Sequence, residues 1–130
     1  MKFKSESMIN GSPEWELDTD SCTVTHRTAD GKVSEDTFHT DYIRYHISYT
    51  VAKYPERFKR LVNKGEIYKY LDDLETRAFE AESRQVEKWK ENDREYKAAV
   101  MAGDIMKAAG LENGLKYMAR EIVLDCMIYV

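Results

Sequence analysis

From residue 66 to residue 102 the chain contains neither proline nor glycine, and its apolar residues recur at helical spacing. Ile67, Leu71, Leu74, Ala78 and Ala81 follow one another at three- and four-residue intervals, with Asp, Glu, Lys and Arg between them. The pattern runs on more faintly through Val86 and Trp89. A segment with this period and no breaker is incompatible with an all-β fold. It predicts one long helix, or two with a break near Asn92-Asp93.

The flanking segments extend the helical reading. Pro55 suits a first helical position, Phe58, Leu61 and Val62 share a face, and Gly65 is placed to stop that helix. Gly103, Gly110 and Gly114 punctuate the region after residue 102. At the end, Leu115, Met118, Ala119, Ile122, Val123 and Cys126 form an apolar stripe opposite Lys116, Arg120, Glu121 and Asp125. That arrangement predicts a core helix with Ile122 at its centre.

The N-terminal part has a different texture. Trp15, Leu17, Cys22, Val24, Val33 and Phe38 stand among Thr, Ser and acidic residues, and Thr23 to His26 alternate. Ala29-Asp30-Gly31 supplies turn residues that tolerate positive φ. Residues 21–28 and 32–38 therefore read as an antiparallel pair, with 15–18 as a third strand. Residues 1–13 mix charge, Ser, Asn, Gly and Pro and read as a loosely ordered end. Residues 41–54 fit both templates: Ile43, Tyr45, Ile47, Tyr49 and Val51 alternate, while Ile43, Ile47 and Val51 also repeat every four residues. Thr40 or Asp41 is placed to cap a helix start.

The expected fold class is α+β: an N-terminal β-hairpin or small antiparallel sheet, then an antiparallel helical bundle with one long helix. A single domain is expected over residues 1–130, with a β-hairpin unit at 14–39 and a helical region at 40–130.

Charge and composition narrow the function classes. The net charge is -4, and the excess lies early: residues 1–52 hold five Lys/Arg against nine Asp/Glu, and residues 53–130 hold fifteen of each. Nucleic acid repels such a surface unless a basic patch is presented. Mean hydropathy is -0.67, and no run of about 20 apolar residues appears, so no membrane span is expected. The first residues lack the apolar segment of a secretory signal, and a cytoplasmic protein with two reduced thiols, Cys22 and Cys126, is the expectation.

Residues 56–75, ERFKRLVNKGEIYKYLDDLE, and the tail MAREIVLDCMIYV resemble the TnpV family of small transposon-encoded proteins. The matching positions are Leu61, Gly65, Ile67, Leu71, Leu74 and Ala78, then Ala119, Glu121, Ile122, Val123, Ile128 and Tyr129. The resemblance covers about residues 54–130. It implies a mobile-element context and favours the helical reading of residues 41–54. It brings no catalytic residue and no cofactor, and the acidic, strand-like N-terminal part departs from it.

The residues offer little chemistry. His26, His39 and His46 lack the spacing of helical metal ligands. Cys22 and His26, four apart on one strand, are separated by about 13 Å, too far for a nucleophile and its base. No phosphate-binding glycine loop exists. No enzyme activity, metal or cofactor is therefore expected.

Two binding readings remain. The first is a protein-interaction module that engages a host or mobile-element protein, in its specific form an inhibitor of a host defence nuclease such as an anti-CRISPR protein. Its candidate contacts are the acidic Glu14, Glu16, Asp18 and Asp20, and the aromatics Trp89 and Tyr96 on a highly charged stretch, with Trp89 exposed until a partner or a second copy covers it. The alternative is a DNA-binding accessory of transposition, with Arg57, Lys59, Arg60 and Lys64 as phosphate contacts.

Overall fold

The computed structural model describes residues 1–6 and 8–130, with Met8 described by its backbone alone. The chain resolves into two compact units, Met1–Glu75 with Ile128–Val130, and Thr76–Met127.

The first unit opens with β1 (Lys2–Lys4), β2 (Met8–Ile9), β3 (Ser12–Pro13), β4 (Trp15–Asp18), β5 (Thr23–Arg27) and β6 (Val33–Thr37). An antiparallel sheet runs in the order β1-β4-β5-β6, and β2 pairs with β3. The described part of residues 1–13, expected to be loose, thus forms strands, for two physical reasons. Lys2, Phe3 and Lys4 stand opposite Asp18, Leu17 and Glu16, which covers an edge of β4 and sets the Phe3 ring edge-on to Phe58 at 5.9 Å. Asn10 and Gly11 take φ of 51° and 80°, the pair of positive values that a two-residue hairpin turn matched to strand twist requires.

Leu17 pairs with Val24 on the covered face of the sheet, and both are buried. Below them lie α1 (Asp41–Lys53) and α2 (Pro55–Asn63). In α1 the buried residues are Tyr42, Ile43, His46, Ile47 and Thr50, a helical face. Tyr45, which strand alternation would have buried, is exposed. Thr40 occupies the position before the helix, but its hydroxyl donates to Glu75 Oε2 at 2.7 Å instead of capping. Pro55 begins α2, which buries Phe58 and Val62. Gly65 stops it with φ of 70°, while Glu66 N–H donates to Leu61 O at 2.9 Å. A Cβ at Gly65 would lie 2.8 Å from Trp15 Nε1, so both backbone and space demand glycine there.

The long helix α3 (Ile67–Asn92) belongs to the first unit through Glu75, where Ile67, Leu71 and Leu74 are buried. Its remainder, with α4 (Arg94–Met101) and α5 (Ile105–Val123), makes the second unit. The break falls at Asp93, whose extended backbone ends α3 and whose carboxylate accepts from Tyr96 N–H at 2.8 Å. Asp104 starts α5 the same way, accepting from Lys107 N–H at 3.1 Å.

The second unit has a thin core: Ala78, Val86, Ala99, Ala119 and Val123. This corrects the expectation for the C-terminal stripe. Ala119 and Val123 are buried and Leu115 is half-buried, but Met118, Ile122 and Cys126 are exposed. Position around the helix explains it. Leu115, Ala119 and Val123, four apart, form the covered row, and Met118, Ile122 and Cys126 form the next row, turned by about 100° toward solvent.

A π-helical turn, Leu124–Ile128, follows α5, and Ile128 is fully buried in the first unit. Val123→Asp is expected to cost roughly 3 kcal/mol or more, because it buries a charge. Ile122→Asp, on the exposed side, should change stability by no more than about 0.5 kcal/mol. Urea denaturation of the two variants checks the contrast; equal losses would place Ile122 in the core after all.

Candidate interaction surfaces

The four acidic candidates lie in the first unit, and each has a basic side chain or the amino terminus nearby. Glu16 and Asp18 occupy the outer face of β4, in register with Lys4 and Lys2 of β1. The amino group of Met1 lies 2.9 Å from Asp20. Glu14 Oε1 is 4.0 Å from His26 Nε2, and the His26 ring stacks on Trp15 at 4.0 Å. Partial burial raises the Asp18 carboxyl, but hydrogen bonds from the Asp20 and Ser21 backbone, with Lys2 nearby, hold it below its ordinary value. The strand in the expected loose end thus sets a lysine across the sheet from Glu16 and from Asp18.

Uncompensated acid lies further along the sheet. All five residues of β6 are exposed, and Glu35 and Asp36 sit on it. Thr28 N–H donates to Lys32 O, and Phe38 N–H to Cys22 O, each at 2.9 Å. In the observed register this directs the N–H and C=O groups of Val33, Glu35 and Thr37 away from β5. No described strand pairs with that side. Close by, Asp72, Asp36 and Glu75 press the Tyr68 hydroxyl above its ordinary pKa, Asp72 most strongly. Sequence reasoning missed this surface. The adjacent acids at 35 and 36 were the available signal, but their neighbours on α3 come together only through the fold.

The basic candidates separate. Arg57 Nη1 donates to Val130 O at 2.7 Å and its guanidinium lies 5.0 Å over the Tyr54 ring. It is therefore a structural tie. Lys59, Arg60 and Lys64 are exposed, and among the described residues no ion pair within 4.0 Å engages them. The salt-bridged face that interleaved acids suggest does not form around these three.

Trp89 and Tyr96 lie in the second unit and are both half-buried. Trp89 is thus already part-covered within the chain, contrary to the expectation of a side chain left open for a partner. The charge beside it is neutralised: Lys90 Nζ is 2.9 Å from Glu112 Oε1 and 3.2 Å from Glu87 Oε1, and the Glu112 hydrogen bond pushes the Lys90 ammonium pKa well up. Lys90 also sits 5.4 Å over the Tyr96 ring.

Two reactive side chains are put to structural use. Burial raises the Cys22 thiol above its ordinary pKa, so it stays protonated. His46, almost wholly enclosed, lies 2.7 Å from Ile128 O through Nδ1 and 2.8 Å from Tyr70 Oη through Nε2. A carbonyl only accepts, so Nδ1 carries the proton and donates to it. Nε2 then accepts from the tyrosine hydroxyl. Among the described residues no three His, Cys, Asp or Glu side chains converge to hold a metal ion, and no helix is long and apolar enough to cross a membrane.

Fold and surfaces together define a class: a small α+β protein, sheet first and helices after, whose accessible features are surfaces. The particular family follows from comparison. The family model of the transposon-encoded protein TnpV matches residues 30–128, and the chain belongs to that family. The match begins in the β5–β6 turn, upstream of the residue 54 that the sequence resemblance suggested, so β6 and α1 fall inside the family span. No curated protein and no solved structure matches the chain.

Burial, followed by the hydrogen bond to Ile128 and the nearby Arg57 charge, acts on His46, and the net effect is a pKa below the ordinary 6.5. A group harder to protonate when folded lets the unfolded chain bind more protons below that pH. Its contribution is whole above about pH 6.5 and is lost as acid is added, by up to about 1.4 kcal/mol per pH unit. Urea midpoints from pH 7.5 down to pH 5 should fall more steeply for the wild type than for His46→Gln, which keeps a donor for Ile128 but does not titrate. Parallel curves would assign the acid sensitivity to other groups.

Proposed function

We propose that this TnpV-family chain is a non-enzymatic accessory protein that acts by binding another protein, and that β6 is its principal contact. The observation that carries this reading is the free, wholly exposed and acidic outer strand. An unpaired edge is a template for strand addition. Here Glu35 and Asp36, with Asp72 and Glu75 around Tyr68, select a partner that presents basic residues beside its own edge or channel. A defence nuclease fits that description, because its nucleic-acid channel is basic. Inhibition of such an effector, in the manner of an anti-CRISPR protein, is the specific form of the proposal.

Glu35→Pro tests it. Proline at 35 removes an outward N–H and no ladder hydrogen bond, and an edge strand tolerates it. The variant should melt near the wild type yet lose capture of a purified candidate nuclease by at least about tenfold in Kd. Retained affinity would move the contact elsewhere.

A second reading is favoured by one observation, the exposed cations Lys59, Arg60 and Lys64, which no ion pair among the described residues engages. Under it the chain contacts DNA phosphates. Three such contacts give a salt slope of about -3 in log K against log salt. Fluorescence anisotropy with a labelled duplex separates the readings. We expect no saturable binding at low salt; a slope near that value, abolished by Lys59→Glu with Arg60→Glu, would favour the DNA-binding accessory.

A further inference from the structure

The exposed side of α5 carries a row that the fold of one chain does not explain. Met106, Gly110, Gly114, Met118 and Ile122 recur every four residues, and all five are exposed. Met106 is 88% exposed, Met118 54% and Ile122 45%, with Tyr117 beside them at 70%. Residues four apart form the ridge by which helices pack on one another. Scattered exposed apolar residues are ordinary, but a ridge of large ones on a single helix marks an interaction surface.

The two glycines sharpen the point. Glycine inside a helix is unfavourable relative to alanine. Neither Gly110 nor Gly114 has a positive φ, and a Cβ at either would meet nothing within 4 Å. Within one chain no conformation and no close approach calls for them. They leave shallow depressions in the middle of an otherwise bulky ridge.

We propose that this face of α5 packs antiparallel against α5 of a second copy, about a twofold axis at Gly114. This surface is distinct from the β6 edge, and the proposal stands without that reading. The register is self-complementary. Met118 of one protomer seats in the depression at the partner's Gly110. The same twofold sets Lys107 against the partner's Glu121, twice. Both charges are exposed in the single chain, and neither has an ion-pair partner within 4.0 Å among the described residues. A helix unrelated to this chain would have to match apolar ridge, depressions and charge order together; a second copy does so by symmetry. At roughly 150–250 Å² for a large side chain, the exposed parts of Met106, Tyr117, Met118 and Ile122 present on the order of 500 Å². A standard interface takes about 800 Å² per partner. The area therefore suits a reversible, concentration-dependent dimer.

Sedimentation equilibrium from low micromolar to sub-millimolar concentration reads the result. The wild type should shift from monomer to dimer. Met118→Lys should remain monomeric throughout with an unchanged circular dichroism melt. Glu121→Lys should weaken the dimer by about tenfold or more, and Lys107→Glu added to it should restore most of the loss. Gly110→Ala with Gly114→Ala should raise the melting temperature of the dilute monomer while weakening the dimer, opposite signs that a purely structural role would not give. A wild type that stays monomeric at the highest concentration overturns the proposal. So does a dimer that survives Met118→Lys, and failure of the charge reversal to rescue removes the antiparallel register.

Discussion

The first unit depends on one enclosed imidazole. His46 sits in the middle of α1, donates to the Ile128 carbonyl and accepts from Tyr70 on α3. One side chain thereby satisfies polar groups from two distant parts of the chain, at a place with almost no water. Removing it would leave a carbonyl and a hydroxyl without their enclosed partner, at about 1–3 kcal/mol each. The neighbouring contacts reinforce the same junction. Tyr129 packs on Tyr49 with ring centres 5.6 Å apart, and Arg57 holds Val130 O. The π-helical turn belongs to this arrangement: it lies between Val123, in the second unit's core, and Ile128, in the first unit's. The family match ends at that same Ile128.

What the sequence makes legible follows from how local each cause is. The long helix, its stop at Asp93 and the hairpin turn at Gly31 come from spacing, a capping carboxylate and a positive φ, all readable within a few residues. Asn10-Gly11 is equally local, and reading the first residues by composition hides it. Residues 41–54 could not be settled locally, because Ile43 and Ile47 satisfy both periods. The choice shows in the burial of Tyr42, Ile43, His46, Ile47 and Thr50, a set that only a helical face brings together. β1 is the least local case. Lys2-Phe3-Lys4 has no strand signal of its own and becomes a strand through its register with β4.

The candidate surfaces failed to be legible for a related reason. Charge along a sequence says nothing about what stands across a sheet. Glu16 and Asp18 look like an acidic edge in the chain and are faced by lysines in the fold. Glu35 and Asp36 look no different and face open solvent on one side of β6. The reverse holds around α2, where acids interleave with bases in the sequence yet no ion pair among the described residues engages Lys59, Arg60 or Lys64. Arg57, the first of that series, turned out to be tied to the backbone at Val130.

The C-terminal stripe carries the same lesson into energetics. A helical period identifies apolar residues that share a side, not the neighbour that will cover them. In α5 the covered residues are the small Ala119 and Val123, and the large Met118 and Ile122 stay in water. Leaving about half of such a side chain exposed forgoes about 1 kcal/mol that full burial would add, and each helical glycine beside them forgoes about 1 kcal/mol more. A chain optimised as an isolated monomer would reverse both choices, with polar residues at 118 and 122 and alanine at 110 and 114. The stability withheld from the single chain is the amount available to an association that covers this ridge, so the thin core of the second unit and its open apolar face have a common physical origin.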